Sequence, residues 1–201
     1  PDTTYGCESG GDPKNIPDLT YENFLNFHRT YYHPSNSYIY LYGNMDMEEK
    51  LAFLDEHYLS HFDYLDVDSV IQEQKAFGAC RDVTLEYPVA ENEGEEDNTY
   101  LSYNMVVGNA ADSQMAMAFE VLDYALLSAP GAPLKQALLD VKAGKDVYGS
   151  YDDGILQPYF TVIAKGSNPD RKEEFVSVIR QVLGDIVKNG IDKKAVEAGI
   201  N

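Results

Sequence analysis

The 201-residue chain carries 15 Lys+Arg against 34 Asp+Glu, a formal charge of −19, which repels phosphate backbones and anionic bilayers and argues against nucleic-acid or membrane-surface binding. Hydrophobic residues make up 44% and aromatics 12%, enough apolar material for a packed core in one large domain or two modest ones. No window approaches the roughly 18 consecutive apolar residues of a membrane-crossing helix, and "PDTTYGCESGG" lacks the charged start and apolar stretch of a signal peptide.

In chain order, "GGDPKNIPDL" is a Gly/Pro loop without a regular period. "TYENFLNFHRTYY" then spaces Phe24, Phe27 and Tyr31 as a helix does, with Thr20 placed as its cap. "HPSN" ends that helix, because Pro34 disfavours helical backbone at His33. The aromatic and β-branched run "SYIYLYG" reads as a strand, Tyr38, Tyr40 and Tyr42 on one face and Ile39 and Leu41 on the other. Asp46 with Glu49 opens a second helix. It is expected to run through "MEEKLAFLDEHYLSHF", with Leu51, Leu54, Tyr58 and Phe62 as its buried stripe.

From Asp63 to Ala79 the periodicity fails, and the stretch reads as an inter-domain connection. "RDVTLEYPV" and "TYLSYNMVVG" then alternate as two strands of a hairpin around the acidic loop "AENEGEEDN". Asp112 opens the apolar helix "SQMAMAFEVLDYALLS", which "APGAP" breaks before a shorter helix, "LKQALLDV". "DVYGSYDDG" and "LQPYFTVIAKG" form another strand pair. Asn168 is expected to cap a helix with Pro169 in its first position, ending at Gly190, and a last helix starts at Asp192. The second unit is thus β-β-α-α-β-β-α. The fold class that follows is α+β, antiparallel sheets with helices packed on one face.

The four histidines are His28, His33, His57 and His61. His57 and His61 stand four apart on the expected second helix, a spacing that can chelate a metal. However, "HYLSH" puts Tyr58 and Ser60 where a metallopeptidase helix needs its Glu. Both are read as surface histidines, and His28 and His33 as a helix end. Cys7 and Cys80 are too few and too far apart for a disulfide framework, so they read as reduced thiols. No P-loop, G-x-S-x-G or G-x-G-x-x-G occurs, and the acidic loop lacks the ligand spacing of an EF-hand. Residue by residue, nothing here completes a catalytic site.

Taken together, Gly11 to Ile16 ("GDPKNI"), Leu19 to Phe24 ("LTYENF"), Tyr32 to Asn36 ("YHPSN") and Gly43-Asn44 resemble the insulinase/pitrilysin family of zinc metallopeptidases. "HRTYYHPSN" and "PGAPLKQALLD…GKDVYGSYDDGILQPYF" look like its presequence-protease branch. The resemblance implies a clam-shaped endopeptidase of four related α+β domains that degrades unfolded peptides. A zinc-activated water would attack the peptide bond, the zinc being held by an inverted H-x-x-E-H motif that lies upstream of this chain.

By that resemblance, residues 1–66 are expected to close the first peptidase domain, 67–80 to connect, and 81–201 to form most of a second, non-catalytic domain. The chain would be a fragment with no catalytic or metal residue of its own, serving as chamber wall. Its partners would be a peptide substrate and the remaining domains of the parent, with no nucleic acid and no membrane, in the cytoplasm. A substrate exosite is implied at Gly131 and Ala132, with Tyr148, Gly149 and Ser150 on the following strand as further contacts, through backbone pairing with the peptide's end. Two alternatives stay open: "APGAP" as a plain helix–helix turn, and the parent as a non-catalytic peptide-binding or scaffold homologue.

Overall fold

The computed structural model describes residues 2–201. By internal contacts the chain divides between Lys75 and Ala76. In the first unit the Thr20 hydroxyl accepts the Asn23 N–H at 3.1 Å and starts helix α1 (Tyr21–Tyr31). The expected stop at His33 holds. Pro34 opens a 3-10 turn (Pro34–Asn36), and the Asn36 amide bonds back to the Tyr31 carbonyl at 2.9 Å. Helix α2 (Met47–His57) begins where the Asp46 carboxylate accepts the Glu49 N–H at 3.1 Å.

Three expectations fail in this unit. Residues 37–43 are extended but unpaired, because a strand exists only through ladder hydrogen bonds and the first unit holds no other strand among its described residues. Tyr38 is fully exposed, and the Tyr40 and Tyr42 rings stack 6.4 Å apart on one side. Helix α2 stops five residues early: Tyr58, at φ −137° and ψ −64°, leaves helical geometry, and a 3-10 turn (Leu59–His61) follows. The proposed stripe is not buried either, with Leu51, Tyr58 and Phe62 exposed. With no sheet to lie on, α1 and α2 bury none of their residues.

The second unit is α+β, a three-stranded antiparallel sheet with helices against it. Strands β1 (Thr99–Val106), β2 (Asp146–Asp152) and β3 (Tyr159–Ser167) lie in the order β1-β3-β2. Helix α3 (Ser113–Asp123) is capped by Asp112, whose carboxylate accepts the Met115 N–H at 3.0 Å. It continues as a π-helical turn (Tyr124–Ser128), with the Ala129 N–H returning to the Tyr124 carbonyl at 2.7 Å. Helices α4 (Pro133–Asp140), α5 (Lys172–Asn189) and α6 (Lys193–Ile200) complete the order. Gly190, at φ +88°, ends α5 as expected.

One sheet face is core and the other is open. Leu101, Val147, Phe160, Val162 and Ala164 alternate into a single cluster with Leu134 and Leu138 of α4 and Phe175 and Ile179 of α5. Full burial of such side chains contributes about 1.5–3 kcal/mol each. Residues of opposite parity (Tyr100, Ser102, Ile163, Tyr148) stand outside that cluster.

Two sequence expectations are corrected here as well. Residues 81–89 make no ladder, so the first expected strand is an extended segment instead. The Asn168 side chain does not cap α5, because Asp97 takes it. Its Oδ1 accepts the Asp97 N–H at 2.8 Å and its Nδ2 donates to the Asp97 carboxylate at 2.7 Å.

Gly149 holds β2 against the π-helical turn. A Cβ there would stand 2.3 Å from the Thr161 carbonyl oxygen and 2.4 Å from Leu127 Cδ1. Gly149→Ala should therefore cost about 1–3 kcal/mol, measurable as a lowered urea midpoint at unchanged slope. Asp123, where α3 becomes π-helical, has a buried carboxylate oxygen without a partner, and burial pushes its carboxyl above the ordinary value. The folded chain then binds that proton more tightly than the unfolded one, so stability falls as pH rises from the ordinary carboxylate value through the raised one. Asp123→Asn should raise the melting temperature at neutral pH, and the gain should vanish in acid below the ordinary value.

Candidate functional site

The five residues singled out for substrate contact lie on two adjoining pieces of the second unit. The π-helical turn delivers the chain into a tight loop, in which the Ala132 N–H donates to the Ala129 carbonyl at 2.9 Å. Gly131 takes φ +71°, a left-handed conformation that disfavours any side chain although space for one exists. Gly131 is exposed, whereas Ala132 is buried, and its carbonyl accepts the first bond of α4, from Gln136 N–H. Leu127 joins this loop to β2, since its side chain fills the space that Gly149 leaves.

Along β2 the three remaining candidates separate by parity. Tyr148 and Ser150 project from the open face, while Gly149 turns to the core. β2 is an edge strand, and on its outer side the Val147 N–H donates to the Asp146 carboxylate at 2.8 Å. A polar row continues from Ser150 through the buried Thr161 to Asn104. The Thr161 hydroxyl donates to the Asn104 amide oxygen at 2.8 Å, and the Ser102 hydroxyl to the same oxygen at 3.0 Å. At one end of the row the Tyr159 hydroxyl donates to the Asp152 carboxylate at 3.0 Å, and that bond, before burial, pushes the tyrosine above its ordinary value.

At the sheet's other end a cleft of about 380 Å³ is lined by Asp97, Tyr100, Lys145 and Lys165. Two residues of β3, Lys165 and Gly166, face the single Tyr100 of β1, and this bulge sets the Lys165 ammonium 5.8 Å from the Tyr100 ring. Asp97 is held below the ordinary carboxylate range by its bond to Asn168 and then by Lys145, whose ammonium stands 3.3 Å away.

These groups can position a peptide by backbone pairing, hydroxyls and aromatic contact. They do not hold the zinc that the family resemblance implies. His28 stacks on Tyr32 at 4.7 Å, His33 meets Phe62 edge-on, and His57 lies against Phe53 at 4.5 Å. His57 ends α2 and His61 lies in the following 3-10 turn, so the two share no helical face. Among the described residues no three His, Cys, Asp or Glu side chains come close enough to hold a metal ion. Cys7 and Cys80 are exposed free thiols.

Sequence reasoning missed the π-helical turn, which leaves no signature in residue type. The packing role of Gly149 had a signal, because a glycine inside a strand often marks close approach of other atoms.

The family described as Peptidase M16 inactive domain matches residues 18–201. Over the whole chain the sequence is 48% identical to Protein HypA of Clostridium perfringens (strain 13 / Type A), of which it covers 21%. It is 36% identical to presequence protease 1, chloroplastic/mitochondrial, of Arabidopsis thaliana, with all of this chain and 19% of that protein covered. A further 32% identity covers 98% of the chain and 20% of the mitochondrial presequence protease of Xenopus laevis. The chain thus spans about a fifth of the length of these relatives. A solved M16-like peptidase from Alicyclobacillus acidocaldarius shares the fold, with a TM-score of 0.56 and 17% identity over 96% of this chain and 45% of that one. The chain belongs to the M16 peptidase family, as a segment of its inactive-domain type.

Proposed function

We propose that this chain is the non-catalytic part of a zinc-dependent M16 endopeptidase that degrades unfolded peptides, forming a wall of the substrate chamber. The observation that carries this reading is the match of residues 18–201 to the family's inactive domain, together with a sheet whose helices cover one face only. The open face, with Tyr148 and Ser150 at the β2 edge and Gly131 in the adjoining loop, is the surface offered to peptide. An extended substrate would add to that edge through its backbone, which gives affinity with little demand on sequence.

The zinc and its general base belong to an H-x-x-E-H motif elsewhere in the parent. Residues 1–66 would close the catalytic domain, 67–80 connect, and 81–201 form the inactive domain. The exposed aromatic side chains of α1 and of residues 37–43 would dock on the parent's remaining domains. No helix among the described residues is long and apolar enough to cross a membrane. A cytoplasmic location fits a chain whose 48%-identical relative is bacterial. A second reading, a peptide-binding homologue without catalysis, has the same inactive-domain match in its favour, and the parent's zinc motif separates the two.

The purified chain should cleave no unstructured peptide, with or without added zinc. The parent should cleave such peptides, lose activity to a chelator and regain it with zinc. A parent that stays inactive with zinc restored would transfer the assignment to the binding homologue. In an active parent, Tyr148→Ala should raise KM for an unfolded peptide roughly 3- to 10-fold, as for about 1 kcal/mol of uniform binding lost, with kcat unchanged. An unchanged KM would remove Tyr148 from the peptide surface.

A further inference from the structure

In a chain of formal charge −19, the cleft at the start of β1 is lined by two ammonium groups, those of Lys145 and Lys165. Its two carboxylates, Asp97 and Asp146, are both engaged by other groups. The Asn168 Nδ2 donates to the Asp97 carboxylate at 2.7 Å, and the Lys145 ammonium stands 3.3 Å from its other oxygen. Asp146 accepts the Val147 N–H at 2.8 Å on the oxygen that also faces the Lys135 ammonium at 3.6 Å. Lys165 lies opposite Asp146 in the ladder, yet no carboxylate among the described residues comes within ion-pair distance of its ammonium. It sits over the Tyr100 ring instead, 5.8 Å from the centroid, and a ring attracts a cation without neutralising it. With Lys135 included, three ammonium groups face two carboxylates, so one positive charge is unmatched. Exposed charges are screened beyond about 8 Å at physiological ionic strength, so this local balance, and not the chain's total, sets what the cleft attracts.

The backbone holds the second cation in place. Gly166 takes φ +67°, and a Cβ there would lie 3.1 Å from Cβ, Cγ and Cδ of Lys145, so the lysine stem runs along the bare glycine. The Lys145 N–H donates to the Lys165 carbonyl at 2.8 Å, which fixes the root of one lysine to the backbone of the other. Asp97 takes φ +57°, and its N–H donates to the Asn168 side-chain oxygen at 2.8 Å. The bulge at Lys165 and Gly166 thus sets both ammonium groups on the border of one cleft, next to the phenol ring.

We infer that this cleft is a binding site for a small oxyanion, a carboxylate or a phosphate group, held by the Lys165 and Lys145 ammonium groups beside Tyr100. Lys165 supplies the unmatched charge. Lys145, laid along Gly166, supplies a further donor without releasing Asp97, because an ammonium carries three N–H groups. Lysine serves such a ligand as a compact point charge, with no need for the planar fork of an arginine. The site needs no peptide at a sheet edge, so it goes beyond the proposed function and does not rest on it.

The test is titration of the 201-residue chain with inorganic phosphate and, separately, with acetate at constant ionic strength, read from the NMR amide shifts of Tyr100, Lys165 and Gly166. Lys165→Gln, at an exposed position, should weaken binding roughly tenfold, as the loss of one charge-assisted contact does. Asp97→Asn should instead tighten it severalfold, because the competing carboxylate is gone. Asparagine tolerates positive φ and can still accept the Asn168 bond, so the loop keeps its shape. Tighter binding of phosphate than of acetate assigns a phosphate-bearing ligand, and equal or weaker binding assigns a carboxylate. The site is overturned if neither anion gives a saturable shift, or if sodium chloride gives the same shifts. Equal affinity in Lys165→Gln and the unchanged chain, or weaker binding in Asp97→Asn, overturns it too. None of these results touches the M16 peptidase reading, which stands or falls on cleavage by the parent.

Discussion

Everything ordered in the second unit depends on strand β3 being sandwiched. Among the described residues it is the only strand with a partner on each side, and its inward residues Val162 and Ala164 have no exposure at all. Because side chains alternate along a strand, that burial fixes the parity of both neighbours. Leu101, Tyr103 and Met105 of β1 and Val147 of β2 must face the same way, toward α4 and α5. The constraint reaches past the sheet. Gly149 lies opposite Val162 with no room for a Cβ, so Leu127 can enter and the π-helical turn can hand the chain to the loop at Gly131. A one-residue slip of β3 would turn every one of these residues over.

The first unit shows the same physics without that constraint. It has well-capped helices, at Thr20 and Asp46, and helical spacing of its aromatic residues. It has no ladder among its described residues, and α1 and α2 bury none of theirs. Local capping is worth about 1 kcal/mol per helix, enough to choose where a helix starts and too little to make a core. Phe24, Phe27, Tyr40 and Tyr42 accordingly stay exposed. Apolar surface of this extent is what an interface with further protein presents before it is covered.

His28, His33 and His57 lie against aromatic rings, and among the described residues no three metal-ligating side chains converge. The sheet is covered by helices on one face, and β1 and β2 form its edges.

Much of this was legible in the residues themselves. Caps and breakers act over three or four positions, so Thr20, Pro34, Asp46, Asp112 and Gly190 could be read directly, as could the β2–β3 pair and the α+β class. The family motifs from Gly11 to Asn44 and around Pro130 identified the lineage. Strand status was not legible at 37–43 or 81–89, because alternation gives a segment the capacity to pair but not a partner. Nor was the end of α2, where the breaking residue is an ordinary tyrosine. Which candidate site residues stand outside the core cluster depended on parity within the sheet, and so on β3. Local chemistry, then, determined where elements begin and end and to which family the chain belongs. Tertiary structure alone decided which strands exist and which side chains are exposed, because hydrogen-bond ladders and burial join residues that lie far apart in the sequence.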